Sequence, residues 1–182
     1  NYEKAKDETR ARRIEASDFP SIVNYFLEDR RIAKDGLDAL KIPFEEELLK
    51  ELQDSLDAPL AEKEQFNVIM ITDIKARGHC HIERISEDGE AYLYFYDWEA
   101  LLKNKKYIDP LLNKSIQLIL DTYSLKTIYS EPWKEDQYRN EVLERAGFEF
   151  IEEHSRKRDD ISADVTFKLW KLDCTKFTPI KE

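Results

Sequence analysis

Apolar residues recur along the chain with period two in some stretches and at helical spacing in others, and the switches between the two predict its elements in order. A short strand is expected over Arg12–Ala16, around Ile14. Ser17 then caps a helix with Pro20 in its first turn, where a missing N–H costs little, and Ile22, Val23, Phe26 and Leu27 share its inner face. Gly36 and Pro43 bracket a break. Phe44, Leu48, Leu52 and Leu56 follow at helical spacing and predict a second helix, its first turn carrying glutamates that suit the helix dipole. Asp57-Ala58-Pro59 ends it. Phe66–Ile71 and Gly78–Ile85 read as strands, and Asp88-Gly89 is a turn signal into a further strand, Ala91–Trp98.

A lysine-dotted loop, Lys103–Ile108, precedes a long helix that starts at Asp109-Pro110, with Leu112, Ile116, Ile119, Leu120 and Tyr123 on its buried face. Thr127–Ser130 is a short strand stopped by Pro132. Gln137–Ala146 is a helix with Tyr138, Val142 and Ala146 inward, ended by Gly147. Phe148–Glu152 and Val165–Leu172 close the order as strands, Val165, Phe167 and Leu169 sharing a face, and polar Ser155–Ser162 between them reads as an exposed loop. Residues 1–11 are charged and nearly devoid of large apolar groups; they read as a loose tail before a single domain over 12–182.

At 182 residues and 41% hydrophobic, the chain is long and apolar enough to close one core unaided. No apolar run approaches the roughly 20 residues a membrane helix needs, so no membrane partner is expected. A net charge of −10 argues against nucleic acid and favours a cationic or amine-bearing partner. Cys80 and Cys174 are far apart and make no disulfide framework, so a reducing cytoplasm is the expected location.

The element order, with Ser130-Glu131-Pro132-Trp133-Lys134-Glu135-Asp136, Arg139–Leu143 and Ala146-Gly147-Phe148, resembles the GNAT N-acetyltransferase superfamily from Arg12 to Leu172. The resemblance implies an α+β fold, a mixed, mostly antiparallel sheet of about seven strands flanked by about four helices; a generic α+β sandwich is the alternative. It also implies an acyl-CoA-dependent N-acyltransferase, carrying acetyl from acetyl-CoA to a small amine, with a homodimer as the assembly common in the family. The rival is a GNAT-shaped binding or scaffold domain without cofactor or catalysis.

Within that resemblance Asp136 stands where an Asn is usual and Leu143 where a Tyr is usual. The cofactor loop's Arg/Gln-x-x-Gly-x-Gly/Ala falls on Asn104, Tyr107 and Asp109, all departures. Glycines let backbone amides wrap a pyrophosphate at a helix N-terminus, whereas Asp109 would put a carboxylate there. Lys103, Lys105, Lys106 and Lys114 offset that charge, and the cofactor site is expected over Lys103, Asn104, Lys105, Lys106, Tyr107 and Ile108, with Asp136 beside it.

The family's oxyanion donor, a backbone N–H on the fourth strand, would lie at Phe95 or Tyr96. Glu83 and Asp97 are the candidate bases for the amine, each also readable as a structural carboxylate. Tyr138 or Tyr129 would protonate the thiolate in place of the missing helix tyrosine. Tyr92, Tyr94 and Tyr96 form a stripe that is equally a packing face. His79 and His81 share a strand face, but no third ligand follows at a spacing that would make a metal site. Arg30, Arg31, Lys34 and Asp35 sit where the resemblance places acceptor-binding segments.

Overall fold

The computed structural model describes residues 8–27, 44–158 and 163–180; Arg30, Arg31, Lys34 and Asp35 lie outside them. Two half-sites of a core form because the central strands are apolar on both faces. Strand β2 (Gln65–Thr72) is buried from Phe66 onward: Val68 and Met70 face one side, Ile69 and Ile71 the other. Helix α3 (Lys105–Thr122) covers the first side with Ile108, Leu111, Leu112, Ile116 and Ile119, joined by Val142 and Leu143 of helix α4 (Gln137–Arg145). Helices α1 (Phe19–Leu27) and α2 (Glu45–Asp57) cover the second side, pressing Phe19, Ile22, Val23, Leu48 and Leu52 onto Ile69 and Ile71.

The remaining strands are β1 (Thr9–Arg13), β3 (Lys75–Glu83), β4 (Glu90–Asp97), β5 (Thr127–Ser130), β6 (Glu149–Arg158) and β7 (Ala163–Asp173). They form a seven-stranded sheet in the order β1-β2-β3-β4-β5-β7-β6. Every neighbouring pair is antiparallel except β4 and β5. A parallel pair needs a crossover, and α3 supplies it.

Three expectations move. The first strand runs over Thr9–Arg13 rather than Arg12–Ala16, so residues 9–11 of the expected tail belong to the sheet. Arg12 turns back to grip Asp18 through both carboxylate oxygens, at 2.8 and 2.9 Å, which sets the start of α1. The closing hairpin is longer than its apolar pattern, because β6 continues through Ser155–Arg158, expected to be loop, on ladder bonds to β7 that polar residues make equally well. Helix α3 begins at Lys105, not at Asp109: Asn104 is its cap, accepting from the Lys106 N–H at 3.0 Å. Lys105–Ile108 are therefore helix rather than loop. Asp109 turns outward to Arg145 of α4 at 2.9 Å.

On β3 and β4 one face carries Cys80, Ile82, Leu93 and Phe95 into the α3 core. The other carries His79 opposite Tyr96, His81 opposite Tyr94 and Glu83 opposite Tyr92. His79 is buried, meets Phe26 of α1 edge to face at 5.7 Å, and accepts from the Trp98 indole N–H at 2.8 Å. Burial, then the neighbouring His81, holds its imidazole well below the ordinary value. Cys80 and Cys174 are both free thiols.

Two predictions follow from this packing. A Cβ on Gly78 would lie 2.5 Å from the Tyr96 carbonyl and 2.6 Å from Leu102; Gly78→Ala is expected to lower stability in urea unfolding by about 1–3 kcal/mol or more. For His79, the unfolded chain takes a proton below the ordinary value of 6.5 that the folded chain refuses. Stability is thus unaffected at higher pH and falls as pH drops below that value. Urea unfolding should lose about 1.4 kcal/mol for each unit below it, and His79→Gln should flatten that slope.

Candidate functional site

The one parallel pairing is short. Glu90, Ala91 and Tyr92 lie opposite Thr127, Ile128 and Tyr129, and then the strands part. The chain beyond β5 stays with β7: the Lys168 N–H donates to the Pro132 carbonyl at 3.0 Å and the Lys134 N–H to that of Thr166 at 2.8 Å. β4 meanwhile runs on to Asp97 beside β3. A gap opens along the edge of β4 from Leu93 to Asp97.

Buried carbonyls need partners, and two side chains reach across. The Ser130 hydroxyl donates to the Leu93 carbonyl at 2.6 Å. The Arg139 Nε donates to the Phe95 carbonyl at 3.0 Å. The rest of that guanidinium is held by Asp97 at 3.0 Å and Asp136 at 2.9 Å. Arg139 is 6% exposed and Asp97 1%, so these are buried charges, paired as such charges must be. Asp136 also caps α4, accepting from the Arg139 N–H at 3.0 Å. Asn140 fixes the turn above, donating to the carbonyls of Trp133 and Asp136 and accepting from the Trp170 indole.

Along an extended strand a residue's N–H and C=O point the same way. Of the two expected oxyanion donors, Phe95 therefore directs its backbone into the gap, whereas Tyr96 lies at the next position and turns toward β3. Tyr138 stands at the gap with Phe95 6.3 Å from its ring, and its hydroxyl is buried without a hydrogen-bond partner. Burial, then nearby Asp97, raises that hydroxyl far above its ordinary value, so it stays protonated. The Lys103 ammonium lies 5.4 Å from the Tyr138 ring centre and 3.8 Å from Asp97. Leu143 is fully buried in the core, so nothing at its position supplies a proton.

The lysines end up differently from the expectation. Moving the helix start to Lys105 takes the Asp109 carboxylate away from the N-terminus and leaves Asn104, Lys105 and Lys106 there, with Lys103 just before the cap. Tyr107 is half-buried under Lys106, and Ile108 is core.

The expected bases fare unevenly. Asp97 is engaged by Arg139. Glu83 lies on the open face with the His81 Nε2 at 3.7 Å, and His81 holds its carboxyl below the ordinary value. Tyr129 stacks on Tyr92 at 5.3 Å, on that same face, its hydroxyl raised by burial and then by Glu90.

Glu131 was not singled out by the sequence. It follows β5 directly where the strands part, is 9% exposed, and is met by Arg156 at 2.9 Å and by the His154 Nε2 at 3.4 Å. His154 in turn stacks on Phe167. Its signal was present in the Glu-Pro turn, which places a carboxylate at the end of a strand that has to stop.

A groove of about 690 Å³ between α3, α4 and the C-terminal segment, lined among others by Asp109, Leu112, Val142, Arg145, Leu172 and Phe177, contains none of the candidate catalytic residues. Among the described residues no group of three His, Cys, Asp or Glu side chains comes together to hold a metal.

No known family model and no curated protein matches this sequence. Solved structures do. Spermidine N-acetyltransferase from Vibrio cholerae, solved with CoA and spermine, superposes with a TM-score of 0.78 at 14% identity, over 92% of this chain and 96% of its own. The microcin C7 self-immunity acetyltransferase, solved with acetyl-CoA and AMP, gives 0.73 at 13% identity, over 93% and 94%. An acetyltransferase of the GNAT family from Streptococcus pneumoniae gives 0.68 at 14% identity, over 91% and 99%. With a seven-stranded sheet parting between β4 and β5 and, among the described residues, four helices packed on its two faces, the chain has the fold of the GNAT superfamily.

Proposed function

We propose that the protein is an acyl-CoA-dependent N-acyltransferase that moves an acetyl group to a small amine. The observation that carries this reading is the meeting of two features: the β4 edge left without a strand partner after Tyr92, and the lysine-bearing N-terminus of α3 beside it. The residues present suit the nucleotide end of CoA. Lys103, Lys105 and Lys106 offer charge to phosphates, and the first turn of α3 adds its positive end. CoA would bring the acyl thioester; the chain supplies the rest.

In this reading the Phe95 N–H, rather than that of Tyr96, donates to the developing oxyanion. Glu131 takes the amine proton with His154 and Arg156 beside it, in preference to Glu83 and to Asp97, which is 1% exposed and held with Arg139 in the gap. Tyr138, its hydroxyl without a partner in the closed gap, is the donor to the leaving thiolate, in preference to Tyr129. Asp136 holds the start of α4 and through it Arg139. A net charge of −10 draws cationic amines toward the molecule. The cytoplasm and a homodimer complete the proposal.

The rival reading, a GNAT-shaped binding module without cofactor, is favoured by one observation: Arg139 stands in the gap and takes the Phe95 carbonyl. A melting experiment separates the two. A ligand that binds only the folded state stabilises it by about 2.7 kcal/mol at a hundredfold excess over its Kd. CoA at millimolar concentration is expected to raise the melting temperature, and replacing Lys105 and Lys106 together by alanine to shrink the rise. An unchanged melting curve supports the binding module.

With binding established, Glu131→Gln is expected to lower kcat by about 10²–10⁴, read as thiol release over a panel of primary amines, while the Kd for CoA holds. Glu83→Gln should leave kcat near the wild-type value. The reverse order of effects would move the proton acceptor to Glu83.

A further inference from the structure

The gap between β4 and β5 is occupied by a side chain of the protein itself. Arg139 leaves the first turn of α4 and lies across the β4 edge, its Nε on the Phe95 carbonyl, its two terminal nitrogens on Asp97 and Asp136. Its guanidinium carbon is 5.3 Å from the centre of the Phe95 ring and 5.8 Å from that of Tyr138. An extended chain following β4 needs both the carbonyl and the space. With Arg139 in this position it has neither.

We propose that Arg139 is a latch, closing the gap in the ligand-free protein and swinging clear before a thioester arm lies down along β4. The proposal rests on the acyltransferase reading above. Two features separate a latch from a permanent plug. Arg139 sits in the first turn of α4, at the end of the helix that Asp136 caps, and its long side chain has enough rotatable bonds for the guanidinium to move while the helix stays in place. A replacement cation is also in position: the Lys103 ammonium is 3.8 Å from Asp97, on a side chain that is partly exposed. When Arg139 leaves, Lys103 closes the short distance to Asp97, and Asp136 keeps the backbone N–H of residue 139 as its capping partner. Neither carboxylate is abandoned in the interior.

The closed form is then the major one, and CoA binds only to the open fraction. Its apparent affinity is reduced by that fraction. The experiment is calorimetric titration of the full chain with CoA and, separately, with 3′,5′-ADP, which carries the phosphates but no pantetheine arm. Wild type is compared with Arg139→Ser and with the double variant Arg139→Ser/Asp97→Asn. The double variant removes the carboxylate whose arginine partner the serine takes away, so it carries the test if the single variant does not fold. CoA is expected to bind both variants about tenfold more tightly than wild type, with 3′,5′-ADP nearly unchanged. Equal or weaker CoA binding by folded variants, where wild type binds CoA, overturns the latch and leaves the acyltransferase reading standing. No CoA binding by any of the three overturns both.

Discussion

Three residues of parallel pairing between β4 and β5 set the terms for the rest of the molecule. The chain past Ser130 has a choice of two neighbours, and it follows β7, with Pro132 accepting from Lys168 and Lys134 donating to Thr166. Proline suits that course because it has no N–H to offer β4. The edge of β4 is left with buried carbonyls at Leu93 and Phe95, and burial without a partner costs as much as a lost hydrogen bond. A serine satisfies the first and an arginine the second. The arginine is a buried charge and demands carboxylates in turn; Asp97 comes from the end of β4 and Asp136 from the cap of α4. A single divergence of strands thus accounts for a helix cap, a buried ion triad and the position of the candidate site.

Much of this order could be read from the residues. Apolar or alternating runs located β2, β3, β4 and β7, and helical spacing located α1, α2 and the body of α3, because burial leaves a mark that does not depend on knowing the partner. Boundaries were less legible. Asp109-Pro110 carries every local mark of a helix start, yet Asn104 caps the helix a turn earlier and Ile108 and Leu111 are drawn into the core. Proline at the sixth position of α3 removes only a bond near the helix end, and the core overrides the local signal. The strand residues Ser155–Arg158 of β6 were missed for the opposite reason: edge pairing uses backbone groups, which polar and charged residues carry as well as apolar ones.

The candidate site was legible in outline and not in its chemistry. Phe95, Lys103 and Tyr138, candidates from the sequence, lie around the gap. Arg139 was not a candidate, since a charged residue on a helix is ordinarily solvated and only the divergence of two strands elsewhere gives it a reason to turn inward. Glu131 was visible as half of a turn signal; its near burial beside His154 and Arg156 depends on β6 and β7, whose register the sequence does not state. Asp97 was readable as a base or as a structural carboxylate, and the sequence does not show its partner because that partner is 42 residues away. The earlier start of α3 reverses one inference of substance. With Asp109 paired to Arg145, the mouth of the helix carries lysines and no carboxylate, which suits an anion better than the local sequence implied.

The central claim is that the parted edge of β4 is a place for an extended thioester. A crystal structure of the protein grown with CoA tests it most directly. The account predicts the pantetheine arm running beside Leu93–Asp97, phosphates against Lys105 and Lys106, and the Arg139 side chain turned out of the gap. CoA ordered elsewhere on the molecule, with Arg139 still seated on the Phe95 carbonyl, would contradict it.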